Sequence, residues 1–217
     1  MRFDDRQDAG RRLGEALAEL ALPQPVVLAL PRGGVPVGVE VAHRLQAPLD
    51  LVMVRKIGAP GQAELAAGAV VDGSQPELVL NEQIVHALRI DADYLEQEKA
   101  RQLAEIARRR ARYLAGRPRP ELAGRTAILV DDGIATGATM LAALRAIRRA
   151  QPRELVVAVP VADIAVLERL TPAADRIVCL HRPHDLMAVG CHYRDFRQLG
   201  DAEVVALLGE AQAAVAP

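Results

Sequence analysis

Apolar and polar residues follow two kinds of pattern along the chain, and together they predict the order of its secondary structure. Apolar runs, typical of strands buried on both faces of a sheet, occupy residues 26–30, 49–54, 127–130, 155–161 and 176–180, and Asp50 and Arg176 are the only charged residues in them. Stretches with helical spacing of apolar residues occupy residues 8–20, 37–45, 81–114 and 162–170, and another begins at Met140. Strands that alternate with helices predict an α/β fold, in which a parallel sheet carries helices on both faces.

Composition narrows the class of protein. Apolar residues make up 51% of the 217 residues but aromatic residues only 2%, so the core has to be built from aliphatic side chains. A formal net charge of −1 argues against a dedicated nucleic-acid-binding protein, which usually carries a basic surplus. Cys179 and Cys191 suit a reducing compartment and form no disulfide framework. Because the sequence has no signal-peptide pattern and no apolar run of membrane-spanning length, we expect a single cytoplasmic domain without membrane contact.

Residues 127–140 carry most of the candidate chemistry. Their strand ends in two adjacent carboxylates, Asp131 and Asp132, and a turn of small residues leads from these into a helix. Such a turn can aim backbone N–H groups and the positive end of the helix at a phosphate. The two acids would repel phosphate, but they suit the hydroxyls of a sugar that carries it, or a magnesium ion. The pattern therefore predicts a phosphorylated-sugar site; an ordinary turn with Asp132 as the helix cap would explain only one of the two acids.

This stretch resembles the signature for phosphoribosyl pyrophosphate (PRPP) of type I phosphoribosyltransferases, and Ala135-Thr136-Gly137 resembles its adenine-type variant. The resemblance implies a Rossmann-like parallel sheet flanked by helices, with a small C-terminal hood. It also implies that the two acids hold the ribose hydroxyls and that the following loop binds the 5′-phosphate. The implied PRPP-binding residues are Asp131, Asp132, Gly133, Ile134, Ala135, Thr136, Gly137, Ala138 and Thr139.

A second strand–loop–helix unit contains Pro31, Arg32, Gly33 and Gly34. A guanidinium and free amides beside paired glycines can bind an anion, although a glycine turn with a solvent-exposed arginine has the same sequence. The segment resembles the pyrophosphate loop of the family, especially that of xanthine-guanine members. That loop often contains a non-proline cis peptide, for which Pro31–Arg32 is the candidate position.

Arg55 and Lys56 follow the predicted strand at residues 49–54, where α/β sheets bind their ligands. The pair resembles the Arg-Lys that precedes the mobile catalytic loop of adenine-type members, and residues 58–73 would be that loop. The resemblance implies that Arg32, Arg55 and Lys56 are the catalytic cations, which stabilise the charge of the leaving pyrophosphate. Glu64 lies inside the loop as a weaker candidate for a proton acceptor, since a lone loop Glu is more often simply solvated. Ala135 stands where hypoxanthine-guanine members carry an acid in that role.

The C-terminal segment resembles the hood of hypoxanthine-guanine members, in which an aromatic residue stacks on the base and a following Asp helps to hold the metal. The candidate base-contacting residues are Met187, Val189, Tyr193 and Phe196, and the candidate metal-holding residues are Asp131, Asp132 and Asp195. The segment departs from the family twice, because Met187 replaces the stacking aromatic and Asp195 falls one residue late. Packing of Tyr193 and Phe196 in the core is an equal alternative. Cysteines and histidines also cluster at residues 179–192, but without the pair spacing of a zinc site.

The resemblance implies a single domain that transfers the 5-phosphoribosyl group of Mg²⁺-bound PRPP to a nitrogen nucleophile, with a nucleobase as the expected acceptor, as in nucleotide salvage. Within that domain we expect a core at about residues 22–180, a helical insertion at 81–116 and a hood at about 181–208, and a homodimer as the assembly. The alternative is a non-catalytic PRPP-binding regulator or interaction protein. Its candidate interaction surface is the basic run at residues 108–112, for which a solvated helix face is the simpler interpretation.

Overall fold

A computed structural model describes residues 1–73 and 76–213 of the chain, except for the side chains of residues 63, 64, 212 and 213. The strands are β1 (Pro25–Ala29), β2 (Leu49–Leu51), β3 (Val54–Ala59), β4 (Gln62–Val71), β5 (Glu77–Leu80), β6 (Thr126–Val130), β7 (Glu154–Val161) and β8 (Arg176–His181). The α-helices are α1 (Arg6–Ala18), α2 (Gly34–Leu45), α3 (Glu82–Ala87), α4 (Ala92–Leu114), α5 (Ala138–Arg148), α6 (Ile164–Leu170) and α7 (Asp201–Ala213). Short 3₁₀ helices span Thr171–Ala173 and Val189–His192.

The central sheet has the strand order β2-β1-β6-β7-β8, and all of its neighbouring strands are parallel. This confirms the predicted α/β fold with a parallel sheet. Strands β1 and β6 are adjacent, with Ala29 paired to Val130 at their carboxyl ends. The two segments that follow these strands, residues 30–34 and 131–139, therefore start side by side at the edge where parallel sheets bind ligands.

The core lies on both faces of this sheet, which explains why its strands are continuous apolar runs. In β6 every residue is buried. Ile128 and Val130 pack with the cluster that contains residues of α1 and α2, such as Leu13. Ala127 and Leu129 pack on the opposite face with residues of α5, such as Leu144.

A second, antiparallel sheet of order β3-β4-β5 corrects two predictions. The predicted strand 49–54 ends at Leu51, because the N–H of Met53 donates to the Asp72 carboxylate at 2.7 Å and the chain then enters β3. The predicted loop at residues 58–73 forms most of a hairpin, whose turn contains Gly61 at φ 71°. Its Gly- and Ala-rich sequence resembles a loop. The segment nevertheless forms strand β4, because β4 pairs with β3 on one side and with β5 on the other and buries Val70 and Val71.

The predicted helix at residues 81–114 is two helices, α3 and α4. Asn81 caps the first by accepting from Ile84 N, and Asp91 caps the second by accepting from Asp93 N at 3.0 Å. Between them the chain turns at Arg89, which has φ 48°. Helix α7, which packs against α2 and α4, has no counterpart among the predicted elements. Across the described part of the chain, the helices are too short or too polar to cross a bilayer.

Candidate active site

Asp131 and Asp132 lie directly after β6, at the carboxyl edge of the central sheet. The Asp131 carboxylate accepts a hydrogen bond from Asp132 N at 2.9 Å. Burial raises the pKa of Asp131 well above its ordinary value, and the neighbouring charge of Asp132 raises it further. Burial also raises the pKa of Asp132, but Arg6 opposes that rise through a hydrogen bond and its charge. The site therefore holds two adjacent carboxyl groups, of which Asp132 has a cationic partner.

The segment that follows these acids is arranged as an anion-binding turn. Ile134 N donates to Val161 O at 3.0 Å, which fixes the start of the turn on the neighbouring strand. Gly137, at φ 79°, is the N-cap of α5, and Leu141 N donates to its carbonyl at 2.8 Å. The N–H groups of residues 138–140 precede this first helical bond, so they are the unpaired donors that every helix N-terminus presents. Thr136 and Thr139 are exposed beside them.

The predicted pyrophosphate loop packs directly against the two acids. Its Pro31–Arg32 peptide is cis, at the predicted position. A Cβ on Gly33 would overlap the Asp132 carboxylate, and one on Gly34 would lie 2.9 Å from the Asp131 Cα. Both glycines are therefore required by the close approach of the two loops. The Arg32 guanidinium lies 3.7 Å from the Asp201 carboxylate of α7.

The structure separates Arg55 and Lys56, which the sequence analysis grouped together. Both are inside β3, and successive side chains of a strand point to opposite faces of its sheet. Arg55 donates to Gln102 of α4 at 3.0 Å. Lys56 lines a cavity of about 600 Å³ between the second sheet and α5, together with Thr139 of the anion-binding turn. Of these two cations, Lys56 is the one beside the turn. The side chain of Glu64 lies outside the described residues.

The hood contacts the site through Val189 and Tyr193. A Cβ on Gly133 would lie 2.5 Å from Val189 Cγ1, so the hood packs closely on the acid-bearing segment. Tyr193 is 2% exposed and lies between Phe3 and Phe196, with ring centroids 5.4 and 5.0 Å away. Core packing, the alternative considered from the sequence, is therefore the role that the structure gives to Tyr193. Met187 is 87% exposed.

The carboxylate oxygens of Asp131 and Asp132 are the ligand type that Mg²⁺ prefers. Asp195 accepts from the N–H of Arg197 at 3.0 Å, and its own N–H donates to Asp4 O at 2.9 Å. Within residues 1–73 and 76–213, no group of three or more His, Cys, Asp and Glu side chains is arranged to hold a metal ion. The two acids therefore fit an ion that brings further oxygen ligands with its substrate.

The basic run at residues 108–112 is engaged in intramolecular ion pairs. Arg108 and Arg109 pair with Glu105 at 2.8 and 2.7 Å. Arg112 pairs with Asp201 at 2.7 Å. Arg110 pairs with the buried Asp50 and Asp72, as described below. Most of the charge of this run is therefore matched by the protein itself.

Arg6 is a site residue that sequence reasoning missed. Its Nε donates to Asp132 Oδ2 at 2.7 Å, although the two residues are 126 positions apart. Nothing near Arg6 in the sequence indicates this contact. The neighbouring Asp5, which caps α1, is a signal for a helix start only.

These features define a class: an α/β protein in which two strand–loop–helix loops meet at a pair of acids. Residues 4–195 match the family model of the phosphoribosyl transferase domain, so the chain belongs to that family. Over 209 residues it is 48% identical to two Mycobacterium tuberculosis proteins that are provisionally named phosphoribosyl transferases. The match covers 96% of this chain and 47% of theirs, so the chain spans about half the length of these relatives. The chain is also similar to the crystal structure of the Thermus thermophilus protein TT1426, with 51% sequence identity and a TM-score of 0.82. That match covers 97% of this chain and 99% of the other.

Proposed function

We propose that the chain binds Mg²⁺-bound PRPP across the loops 31–34 and 131–139 and transfers its 5-phosphoribosyl group to a nitrogen nucleophile. The observation that carries this proposal is the contact of Gly33 with Asp132, because it brings the pyrophosphate loop against the acids of the PRPP signature. A single ligand with a phosphate at each end and hydroxyls between would satisfy both loops and the acids at once. Membership of the phosphoribosyl transferase family supports the same ligand.

Each part of the site has a role in this proposal. The N–H groups at the start of α5 and the hydroxyls of Thr136 and Thr139 bind the 5′-phosphate. Asp131 and Asp132 accept hydrogen bonds from the ribose hydroxyls. Arg32 and Lys56 face the negative charge of the pyrophosphate, whereas Arg55, on the other face of β3, donates to Gln102 of α4. Magnesium, when bound with PRPP, would neutralise part of the charge on the leaving pyrophosphate.

The proposed reaction exchanges two bonds at C1 of the ribose. The C1–O bond to pyrophosphate breaks, and the pyrophosphate leaves with the electron pair. The acceptor nitrogen forms the new bond to C1 and gives up its proton. Since the signature turn carries Ala135 in place of an acid, that proton goes to a group outside the turn or to solvent. A nucleobase is the acceptor class that the family resemblance suggests.

The basic run does not favour the alternative of an RNA-binding or partner-binding protein. Its arginines already pair with acids of the same chain, so binding a polyanion there would have to break those pairs. A PRPP-binding regulator without transferase activity is the alternative that the decisive experiment has to separate from an enzyme.

That experiment is pyrophosphate release from Mg²⁺-bound PRPP, measured with a panel of purines, pyrimidines and small amines. Release that depends on one acceptor and disappears in Asp132→Asn would establish the transferase and identify its substrate. PRPP binding by calorimetry without release for any acceptor would favour the regulator. Absence of PRPP binding to the wild type would overturn the proposal.

A further inference from the structure

The contact between Arg6 and Asp132 is almost sealed from solvent. The Arg6 and Asp132 side chains are 10% and 13% exposed, and Nε lies 2.7 Å from Oδ2. Two more contacts hold the same guanidinium. Its Nη1 donates to Arg197 O at 3.0 Å, and its carbon lies 3.8 Å from the centre of the Phe196 ring. The guanidinium is therefore fixed in three directions, and one of those contacts is with a site carboxylate.

The backbone around Arg6 is fixed as well. Phe3 N donates to His192 O at 2.8 Å, and Arg194 N donates to Phe3 O at 2.9 Å. Phe3 is 0% exposed, so this bridge to the hood belongs to the core. Arg6 then begins α1, whose cap Asp5 accepts from Asp8 N at 2.7 Å. The N-terminal segment and the hood hold Arg6 over the acids in one orientation.

An ordinary structural ion pair would not have to involve this carboxylate. Arg11 and Arg12, on the same helix, pair with Glu40 and Asp8, away from the site. Arg6 instead reaches the member of the acid pair that packs against Gly33 of the pyrophosphate loop. It contacts Oδ2 and leaves Oδ1 of Asp132 to accept from a ligand.

We propose that Arg6 is a positioning residue of the PRPP site, which orients the Asp132 carboxylate so that its other oxygen accepts a ribose hydroxyl. This inference rests on the proposed function. Two adjacent carboxylates repel each other, and a side chain that rotates freely would hold a sugar hydroxyl weakly. The fixed guanidinium removes both difficulties before the ligand arrives.

The test separates ribose recognition from phosphate recognition. Calorimetry would measure the binding of Mg²⁺-bound PRPP, ribose 5-phosphate and inorganic pyrophosphate to wild type, Arg6→Met and Arg6→Lys. Arg11→Met is the matched control, because it removes an ion-paired arginine from the same helix without touching the site. Urea unfolding of each variant would show whether the fold is retained.

We expect Arg6→Met to weaken PRPP and ribose 5-phosphate by about tenfold or more, the effect of losing a charge-assisted hydrogen bond. Pyrophosphate affinity should stay within about twofold of wild type, since pyrophosphate has no ribose. Arg6→Lys keeps the charge but not the guanidinium geometry, so its affinity for PRPP and ribose 5-phosphate should lie between those of wild type and Arg6→Met. Arg11→Met should have the same affinities as wild type.

Three results would overturn the inference. Unchanged ribose affinity in Arg6→Met and Arg6→Lys would show that Asp132 needs no such support. Tighter PRPP binding would show that Arg6 blocks the carboxylate. An equal loss for all three ligands, together with a lower urea midpoint, would reduce Arg6 to a structural residue. If wild type itself bound no PRPP, the proposed function would fail first, and this inference with it.

Discussion

The hydroxyl of Tyr193 donates a hydrogen bond to the backbone carbonyl of Asp132, with 2.6 Å between the oxygens. Burial raises the pKa of Tyr193 far above its ordinary value, and the Asp132 charge raises it further, so the hydroxyl remains a donor. Asp132 is thus held at its carbonyl by the hood and at its carboxylate by Arg6. Because Tyr193 of the hood fixes the backbone of Asp132, the geometry of the acid pair depends on the hood.

Tyr193→Phe should therefore impair both stability and binding. Loss of the hydroxyl leaves the Asp132 carbonyl without this donor and should cost about 1–3 kcal/mol in the free energy of unfolding. It should also weaken PRPP binding, because the acid is less firmly placed. Urea unfolding and calorimetry measure the two effects.

Tyr94→Phe is the matched control for that variant. Tyr94 also donates to a backbone carbonyl, that of Gly58, at 2.9 Å, but this carbonyl belongs to the second sheet and not to the acid pair. A comparable loss of stability with unchanged PRPP affinity is expected. PRPP affinity that is equal in Tyr193→Phe and wild type would contradict the role given to the hood.

Gly33→Ala should weaken PRPP binding by displacing Asp132. The added methyl group would overlap the Asp132 carboxylate, so either the acid or the loop 31–34 has to move. We expect PRPP affinity to fall by at least about tenfold, since the displaced acid loses its ribose contact. Gly209→Ala, in α7, meets no atom within 4 Å and should bind PRPP like wild type. Wild-type affinity in Gly33→Ala would show that the loop yields without cost to the site.

The two site acids should differ in how the protein's stability responds to removal of their charge. The folded-state pKa of Asp131 is raised, so the folded protein retains its proton at a pH where the unfolded chain has lost it. The resulting loss of stability grows as the pH rises above the unfolded pKa and is complete above the folded one. Asp131→Asn removes this loss of stability and keeps an oxygen that can accept from Asp132 N, so the variant should be more stable than wild type at neutral pH.

Asp132→Asn should not share that gain, because it leaves the nearly buried Arg6 guanidinium without its carboxylate. Thermal unfolding of both variants at pH 4 and pH 8 tests the contrast. The advantage of Asp131→Asn over wild type should be larger at pH 8. An advantage that shrinks as the pH rises would reverse the sign of the argument.

The central sheet could be predicted from sequence because burial on both faces leaves a continuous apolar run. Val130 and Leu155, for example, are fully buried members of such runs, which would expose apolar side chains to water if they lay on a surface strand. The second sheet could not be predicted in the same way. Residues 62–71 are mostly small, and they form a strand through pairing with β3 and β5 and packing against α4. That stabilisation is tertiary and leaves no local pattern.

The same division applies to the site. The two loops could be predicted because a turn, its glycines and its acids are contiguous in the sequence. Arg6 could not, since its role depends on a contact between the two ends of the fold. The separation of Arg55 from Lys56 could not be predicted for a related reason: the hairpin that contains β3 has no local signal, and it places these adjacent residues on opposite faces of a strand.

Arg110 links α4 to β2 of the central sheet and to Asp72, which follows β4, and its loss should destabilise the protein strongly. It donates to both oxygens of Asp50 at 2.8 Å and to Asp72 at 3.3 Å, and these acids are 5% and 2% exposed. Arg110→Met would leave Asp50 buried without its cation and Asp72 with Arg119 as its remaining cationic partner. We expect a loss of about 3–5 kcal/mol in the free energy of unfolding, measured in urea.

Arg108→Met, on the same helix, is the matched comparison. It tests whether the charge of the basic run stabilises the fold, as proposed for Arg110, or forms a binding surface. Arg108 is 63% exposed and pairs with Glu105, so its loss should leave the stability almost unchanged. If the basic run served RNA, both variants would weaken a salt-dependent affinity for RNA. If its charge serves the fold, the stability of Arg110→Met falls while that of Arg108→Met does not, and wild type shows no such affinity. Equal stability of the two variants would contradict the view that the buried pairs account for this arginine-rich sequence.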